Sequence, residues 1–554
     1  MFLAHDKWRL IPASDEAAEL SRRSNLSPLE AEFLCAFVDG PDRREAWLAD
    51  GPPVFPGPEA LPGLDEASEQ VEKAILSSRK ILVHGDYDVD GLMGAAVLCG
   101  GFGALGAEAS AFIPSRFEGG YGLSEASLKA VKDEGAQLLV TADCGTNARE
   151  VGSELVSMGC GLVVTDHHVA QPGLAPPGII VNPQLQDGDS ELKDLCGASV
   201  AYLLLRAVQR RMGRELPEEP FLRLLAIATV ADVVAMSSLN RRICKAGFKA
   251  LETTPNPGIA LLLSRCAAEN GVTSHHVGFY LAPRFNAAGR IEDARLVLDL
   301  MLERDPAEAA RMVGRLEALN ETRRKLQASA YEEASRAAGD EGLPVVFAAS
   351  ASWHKGVVGP VAARLAGEKK RSAFVVAIED GIGTGSARAF GEDNVTERLR
   401  AASDILDRFG GHAGAAGFTV STDKLAALEN RLQDGAPPPE RGKPRGYYPL
   451  EASRLHEAWL ALSRLDPLRP DAKEPYIGLR NVASSGPRLV NGRHLFWDVR
   501  LAAGSSARMI AWDGAASGWG RDSVSPGSTV IGRLIPELRR GNGPYYFQVA
   551  DILP

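Results

Sequence analysis

The sequence predicts an α/β protein built in sections: a mostly parallel open sheet, a long helix, a smaller second α/β lobe and a small C-terminal β-barrel. Three observations carry this. From Lys80 onward, short β-branched runs alternate with helical stretches, the pattern of parallel strands joined by helical crossovers. A helical period then runs unbroken from Asp305 to about Ala338. Past a Pro/Gly stretch at Asp434–Pro449, the chain returns to short alternating runs between Pro475 and Pro554. At 554 residues it exceeds the ~250–300 residues that one core supports, so several domains are expected.

Residues 1–75 read as helical and loop-rich, closing in the Pro/Gly stretch Gly51–Gly63, and carry no recognisable chemistry. Residues 76–300 hold the sheet. Ile81–Val83, Leu138–Thr141, Leu162–Thr165 and Ile179–Val181 read as buried strands, with helices over Ser124–Glu134 and Asn147–Met158 between them. Residues 301–343 form a connecting helix: Asp305-Pro306 supplies its cap and first-turn proline, and Met312, Leu316, Leu319 and Leu326 keep its period. About 30 residues give a rod of ~45 Å, long enough to join two lobes. Residues 344–435 form the second lobe, 436–474 a linker or crossover, and 475–554 the barrel.

The polar residues fall where such a sheet binds ligands, beyond the carboxyl ends of its strands. His84, Asp86, Asp88 and Asp90 follow the first strand, Asp143 the second, and Asp166-His167-His168 the third. Carboxylates this close repel by about 4 kcal/mol per pair at 4 Å and an effective dielectric of 20, so a cation is expected among them. Asp and His with no Cys pair suit Mg²⁺ or Mn²⁺ better than structural zinc. Asp232 lies in the apolar run Phe221–Val234 and is read as a further ligand, a buried acid otherwise needing a capping role or an ion pair.

HGDYDVDG, TADCG, VVTDHH and the later Asp232 resemble the four motifs of the DHH phosphoesterase superfamily. Trp353–Gly359 and Phe409-Gly410-Gly411-His412-Ala413 resemble its companion DHHA1 domain. Cys196-Gly197-Ala198 and Ala282–Arg290 resemble the RecJ branch, bacterial exonucleases that degrade single-stranded DNA 5′→3′. The resemblance runs from about Trp8 to the end. Val89 and Pro360 depart from it, and Gly383–Arg388 is a looser version of its Gly/Ser/Arg run.

That resemblance implies two divalent cations, Mn²⁺ or Mg²⁺. One would be held by His84, Asp88 and Asp143, the other by Asp90, Asp143, His167 and Asp232. Asp143 would bridge, and Asp86 would ligate directly or steady its neighbours. His168 and, from the second lobe, His412 on its Gly410-Gly411 loop would contact the scissile phosphate. Arg284, Arg290 and Arg388 are candidates for gripping phosphates, one of them with Ser386 at a 5′-phosphate, because a guanidinium fork matches phosphate oxygens. A cleft between the lobes would admit one strand. The family places an OB-fold in the last section, which carries nine arginines, no lysine and five acidic residues. Its aromatics are Tyr476, Phe496, Trp497, Trp512, Trp519, Tyr545, Tyr546 and Phe547. Two or three of them are expected to face DNA and the rest to form the core.

The family implies single-strand-binding protein and a RecQ-type helicase as partners, and the chain is taken as a monomer without a membrane partner. Seven scattered cysteines with no CxxC pair, and no 18-residue apolar span, fit a reducing cytoplasm. A net charge of −10 does not announce a nucleic-acid binder, so charge distribution matters more than the sum. A small-nucleotide phosphodiesterase shares the metal residues but needs no extra β section. A pyrophosphatase should lack the Gly-Gly-His loop, and a non-catalytic scaffold should have lost ligands that are all present here.

Overall fold

The computed structural model describes residues 7–48, 51–117, 122–266, 268, 271–338, 343–434, 444–468, 475–482, 487–500, 506–512, 514–515, 519, 524, 528–538 and 544–553. The chain forms two compact units. The first takes Met1–Asn286, Ala294–Val313 and Pro444–Pro554, and the second Ala287–Asp293 and Gly314–Lys443.

In the first unit, five parallel strands lie in the order Ala109–Phe112, Ile81–Gly85, Leu138–Ala142, Gly161–Thr165, Ile179–Val181. The two central strands are buried throughout, which is why they read as continuous apolar runs. The edge strand Ala109–Phe112 escapes sequence reasoning because three of its four residues are small and none is fully buried. The helix Val89–Ala104 is apolar nearly all round, as a helix covered on every side must be. It packs against the helices Gly197–Met212 and Glu219–Ala231. At Gly101 a Cβ would sit 2.3 Å from the Leu205 side chain, so glycine sets that close approach.

The C-terminal strands form an open sheet among the described residues, where a closed barrel was expected. Its order is Trp8–Leu10, Arg445–Glu451, Ile477–Arg480, Thr529–Pro536, Tyr545–Leu553, Ser506–Ala511, His494–Arg500, Arg488–Val490. Two of the eight strands come from outside 475–554 and pair in parallel onto one edge, extending the sheet there. Residues 436–474 thus hold the strand Arg445–Glu451 and the helix Leu455–Leu465; the remaining parts, 436–443 and 469–474, lie outside the described residues. The N-terminal segment joins this layer as well. Phe33 packs edge-on to Tyr448 with ring centroids 5.3 Å apart, and the Trp8 indole donates to Asp551 over 2.8 Å.

The second unit has a five-stranded sheet in the order Arg408–His412, Ala415–Ser421, Ile382–Arg388, Ala373–Glu379, Val346–Ser350, antiparallel except for the last pair. Strand alternation sorts its core. Ala373, Val375 and Ala377 face the helix Val358–Lys369 and Ala330 and Ala334 of the long helix. Phe374 and Val376 face the opposite cluster of Leu399, Phe418 and Leu428. The long helix spans Pro306–Ala337, 32 residues or ~48 Å, and Asp305 accepts from Glu308 N–H at its start over 2.8 Å. Among the described residues no helix is long and apolar enough to cross a membrane.

Candidate metal centre

The metal-type residues of the sequence meet at the carboxyl ends of three parallel strands. Asp88 caps the helix Val89–Ala104, accepting from Asp90 N–H at 3.0 Å and Gly91 N–H at 3.2 Å, which sets the turn carrying the acids. Asp90, 1% exposed, accepts from Gly197 N–H at 2.6 Å and Ala198 N–H at 2.8 Å. Those amides begin the helix Gly197–Met212, whose positive end favours an anion. Asp143 follows its strand in the left-handed region (φ 66°), a strained conformation for a non-glycine residue of the kind found at functional sites. Gly197 makes room for it, since a Cβ there would lie 2.5 Å from Asp143 Oδ1.

His167 sits among three carboxylates drawn from distant parts of the chain. Its Nε2 is 3.2 Å from Asp143, 3.6 Å from Asp232 and 3.7 Å from Asp90. Asp232 ends the helix Glu219–Ala231 as its C-cap, where the helix dipole repels a negative charge. Two groups could hold a cation, Asp90–His167–Asp232 and Asp143–His167–His168, each with ligand atoms within 4.8 Å of one another. The second includes His168, which the sequence reading set against phosphate.

The electrostatics favour cations. Burial, and then the charges of Asp90, Asp88 and Asp232, push the Asp143 carboxyl well above the usual range. Burial and the same two neighbours, Asp90 and Asp88, raise Asp232 to about 8. Burial and then Asp88 raise Asp86, whose Oδ1 is buried without a hydrogen-bond partner. Burial also raises Asp90, although His167 and the two helix amides oppose it. A cluster of acids that cannot all ionise alone, one with an orphaned oxygen, fits divalent cations with oxygen and imidazole ligands.

His84 is fully buried beside them, and burial lowers its pKa to about 4, leaving a neutral ring. Its Nε2 meets the Ser127 hydroxyl at 3.0 Å and its Nδ1 the Cys144 thiol at 3.5 Å. Both ring nitrogens therefore have partners here.

Sequence reasoning assigned no role to Asp166, the anchor of the histidine turn. Its carboxylate accepts from Thr146 N–H at 2.9 Å, His167 N–H at 2.8 Å, His168 N–H at 3.2 Å and the His168 ring at 2.8 Å. Burial opposes its charge, but these bonds win and bring it down to about 2. Burial likewise opposes the charged His168 ring, yet the bond to Asp166 and the surrounding carboxylates lift it to about 9. Asn182, fully buried, donates to Thr146 Oγ1 at 2.8 Å and His168 O at 2.9 Å, tying the turn to the next strand. Arg116, over the Tyr87 ring at 4.2 Å and acting on Asp86, carries no sequence signal that would place it here. Asp166 did have one, its position between a strand end and two histidines.

The phosphate candidates divide between the units. Arg284, in the first, lies over the Tyr280 ring at 3.6 Å and donates to Tyr280 O at 2.8 Å. In the second, Arg290, Ser386 and Arg388 converge on Gly359, near the start of the helix Val358–Lys369. A Cβ at Gly359 would meet Arg388 Nη2 at 3.4 Å, Ser386 Oγ at 3.5 Å and Arg290 Nη1 at 4.0 Å. Arg388 also donates to Ser386 Oγ over 2.9 Å. Gly410, Gly411 and His412 are exposed on the strand Arg408–His412. Gly411 has φ 142°, and a Cβ there would lie 2.4 Å from Ala415 O, so only glycine fits.

Residues 80–229 match the model of the DHH family N-terminal domain, and residues 342–434 that of the DHHA1 domain. The single-stranded-DNA-specific exonuclease RecJ of Thermus thermophilus is 34% identical, over 94% of this chain and 76% of its own. The chain belongs to the RecJ family of exonucleases. The Bacillus subtilis RecJ exonuclease is 33% identical over 78% of this chain, and the match spans 56% of that relative's length. The crystal structure of Thermus thermophilus RecJ with Mn²⁺ covers 99% of this chain and 80% of its own at a TM-score of 0.81 and 30% identity. The same protein with Mg²⁺ superposes at 0.75, over 99% of this chain and 78% of its own, at 29% identity. The expected family, α/β fold and Mn²⁺- or Mg²⁺-type centre are thereby borne out.

Proposed function

We propose that this chain hydrolyses single-stranded DNA from the 5′ end to mononucleotides, in repair and recombination. The observation that carries this reading is His167 Nε2 held within 3.2–3.7 Å of Asp143, Asp232 and Asp90 in a chain of the RecJ family. Divalent cations at such a site neutralise the phosphate, acidify water and stabilise the leaving oxygen. Asp90, Asp143, His167 and Asp232 would hold one of them. His84, Asp88 and Asp143 are assigned the other, with Asp86 beside them, and the His84 ring must give up Ser127 or Cys144 to join. Asp166 and Asn182 fix the histidine turn, and His168, kept charged by Asp166, faces the phosphate.

Arg290, Ser386 and Arg388, with the helix start at Gly359, are assigned to a terminal 5′-phosphate, Arg284 to the strand backbone, and His412 to a phosphate of the strand. In the C-terminal sheet Tyr476, Trp497, Tyr545 and Phe547 are buried, whereas Trp512 is 47% exposed beside Phe496 and His494. That outer cluster is assigned to stacking on single-stranded bases. Single-strand-binding protein and a RecQ-type helicase are the partners that the resemblance implies, for a monomer in the bacterial cytoplasm.

The test is digestion of single-stranded oligonucleotides labelled at either end, in Mn²⁺, Mg²⁺ or EDTA, with duplex DNA, dinucleotides and pyrophosphate alongside. Metal-dependent mononucleotides from the 5′ end are expected, with 5′-phosphorylated ends preferred and the preference lost in Arg388→Ala. Hydrolysis of dinucleotides alone would replace this reading by a small-nucleotide phosphodiesterase.

A further inference from the structure

We propose that Phe279, stacked on His275, is a shelf that holds one nucleobase of the substrate strand beside the metal centre. The proposal rests on the reading of the chain as a single-strand nuclease and adds a binding position to it. Residues Val277–Leu281 form a π-helical turn, in which Ala282 N–H reaches back five residues to Val277 O. Its cause is local. Pro283, four residues after Phe279, has no N–H to give the Phe279 carbonyl, so the ordinary helical bond is missing and the turn widens.

The widened turn has an unusual consequence for its apolar residues. Val277, Tyr280 and Leu281 are buried, while Phe279 is left 61% exposed. Its ring lies face to face with His275, with centroids 4.5 Å apart and planes at 26°. A phenyl ring already stacked on one side and open on the other is a preformed platform for a planar base. The position relates it to the chemistry. The turn packs on the helix Glu219–Ala231, with Gly278 against Val230, two residues before Asp232. Val233, next after Asp232, is a second exposed apolar residue at 65%, and it is held at φ 61°, an outlier for a β-branched side chain. Arg284, one turn along from Tyr280, supplies a cation for the phosphate that accompanies the base. Apolar exposure on the turn packed against the helix Glu219–Ala231 and on Val233 after it suits a ligand with flat apolar faces and an anionic backbone. It favours unpaired, unstacked bases, because a base inside a duplex has its faces covered by its neighbours.

The experiment places 2-aminopurine at successive positions of a single-stranded oligonucleotide and reads its fluorescence on binding in EDTA. Hydrolysis of the same strand in Mn²⁺ is measured in parallel. Wild type should quench at one or two adjacent positions. Phe279→Ala and Phe279→Leu should lose that quench and raise KM about tenfold with a smaller change in kcat, while Phe279→Trp retains both. Val54→Ala, an exposed apolar substitution elsewhere, serves as the control. Equal quench and equal KM in wild type and Phe279→Ala would overturn the shelf, as would no position-specific quench in wild type. Failure of wild type to cut the strand while the quench persists would overturn the nuclease reading instead.

Discussion

Removing one carboxylate from the metal centre should make the metal-free protein more stable and its response to metal weaker. Asp232 is the site for this test, because its side chain is 28% exposed and Asn can replace it without repacking the core. Its pKa stands at about 8 in the fold against 3.8 for the free group, raised by burial and then by Asp90 and Asp88. The folded chain therefore binds a proton that the unfolded chain has released, and stability falls as pH rises from about 4 to about 8. At about 1.4 kcal/mol per pH unit, keeping this carboxyl in the metal-free fold costs about 4 kcal/mol at pH 7. Asp232→Asn lifts that cost, so in EDTA at pH 7 its unfolding midpoint should exceed that of wild type. The gain should shrink to a small remainder near pH 4, where the unfolded chain's acid is about half protonated, and vanish only below 3.8. Mn²⁺ at a hundred times its Kd stabilises a single site by about 2.7 kcal/mol, and the mutant should gain less. Urea unfolding in EDTA at pH 4, 7 and 8, repeated with Mn²⁺, reads all of this. Equal midpoints at pH 7 and 8 in EDTA, or an undiminished Mn²⁺ gain, would refute the reasoning.

Three further outcomes follow from the same geometry. Asp143→Ala should reduce metal-dependent hydrolysis by about a thousandfold or more without unfolding the chain, measured on end-labelled oligonucleotides beside circular dichroism. Asp166→Asn should lower kcat/KM by about 10- to 100-fold by freeing the histidine turn. In EDTA its stability deficit should be largest between about pH 4 and 6.5. The Asp166 part is present above 3.8 and lost as pH falls through about 2, and the His168 part is present below 6.5 and lost as pH rises through about 9. Gly197→Ala should cost about 1–3 kcal/mol and most of the activity, because its Cβ would collide with the Asp143 side chain; a variant as stable and active as wild type would remove Gly197 from the site.

Local pattern alone determined much of this protein. The four strands Ile81–Gly85, Leu138–Ala142, Gly161–Thr165 and Ile179–Val181 were legible because burial on both faces demands unbroken apolar runs. The acids at their ends were legible because turns carrying several carboxylates have few explanations other than a cation. Asp305-Pro306 marked the start of the long helix by its own chemistry. Tertiary structure decided what depends on contacts between residues far apart in the chain, which leave no periodic trace. It brought Asp90 to the amides of Gly197 and Ala198 more than a hundred residues away, turned Asp166 inward as an anchor, and gathered Arg290, Ser386 and Arg388 around Gly359. It also paired Trp8–Leu10 with Arg445–Tyr447, a three-residue strand too short for any pattern to announce, which exists because a neighbouring strand completes its hydrogen bonds.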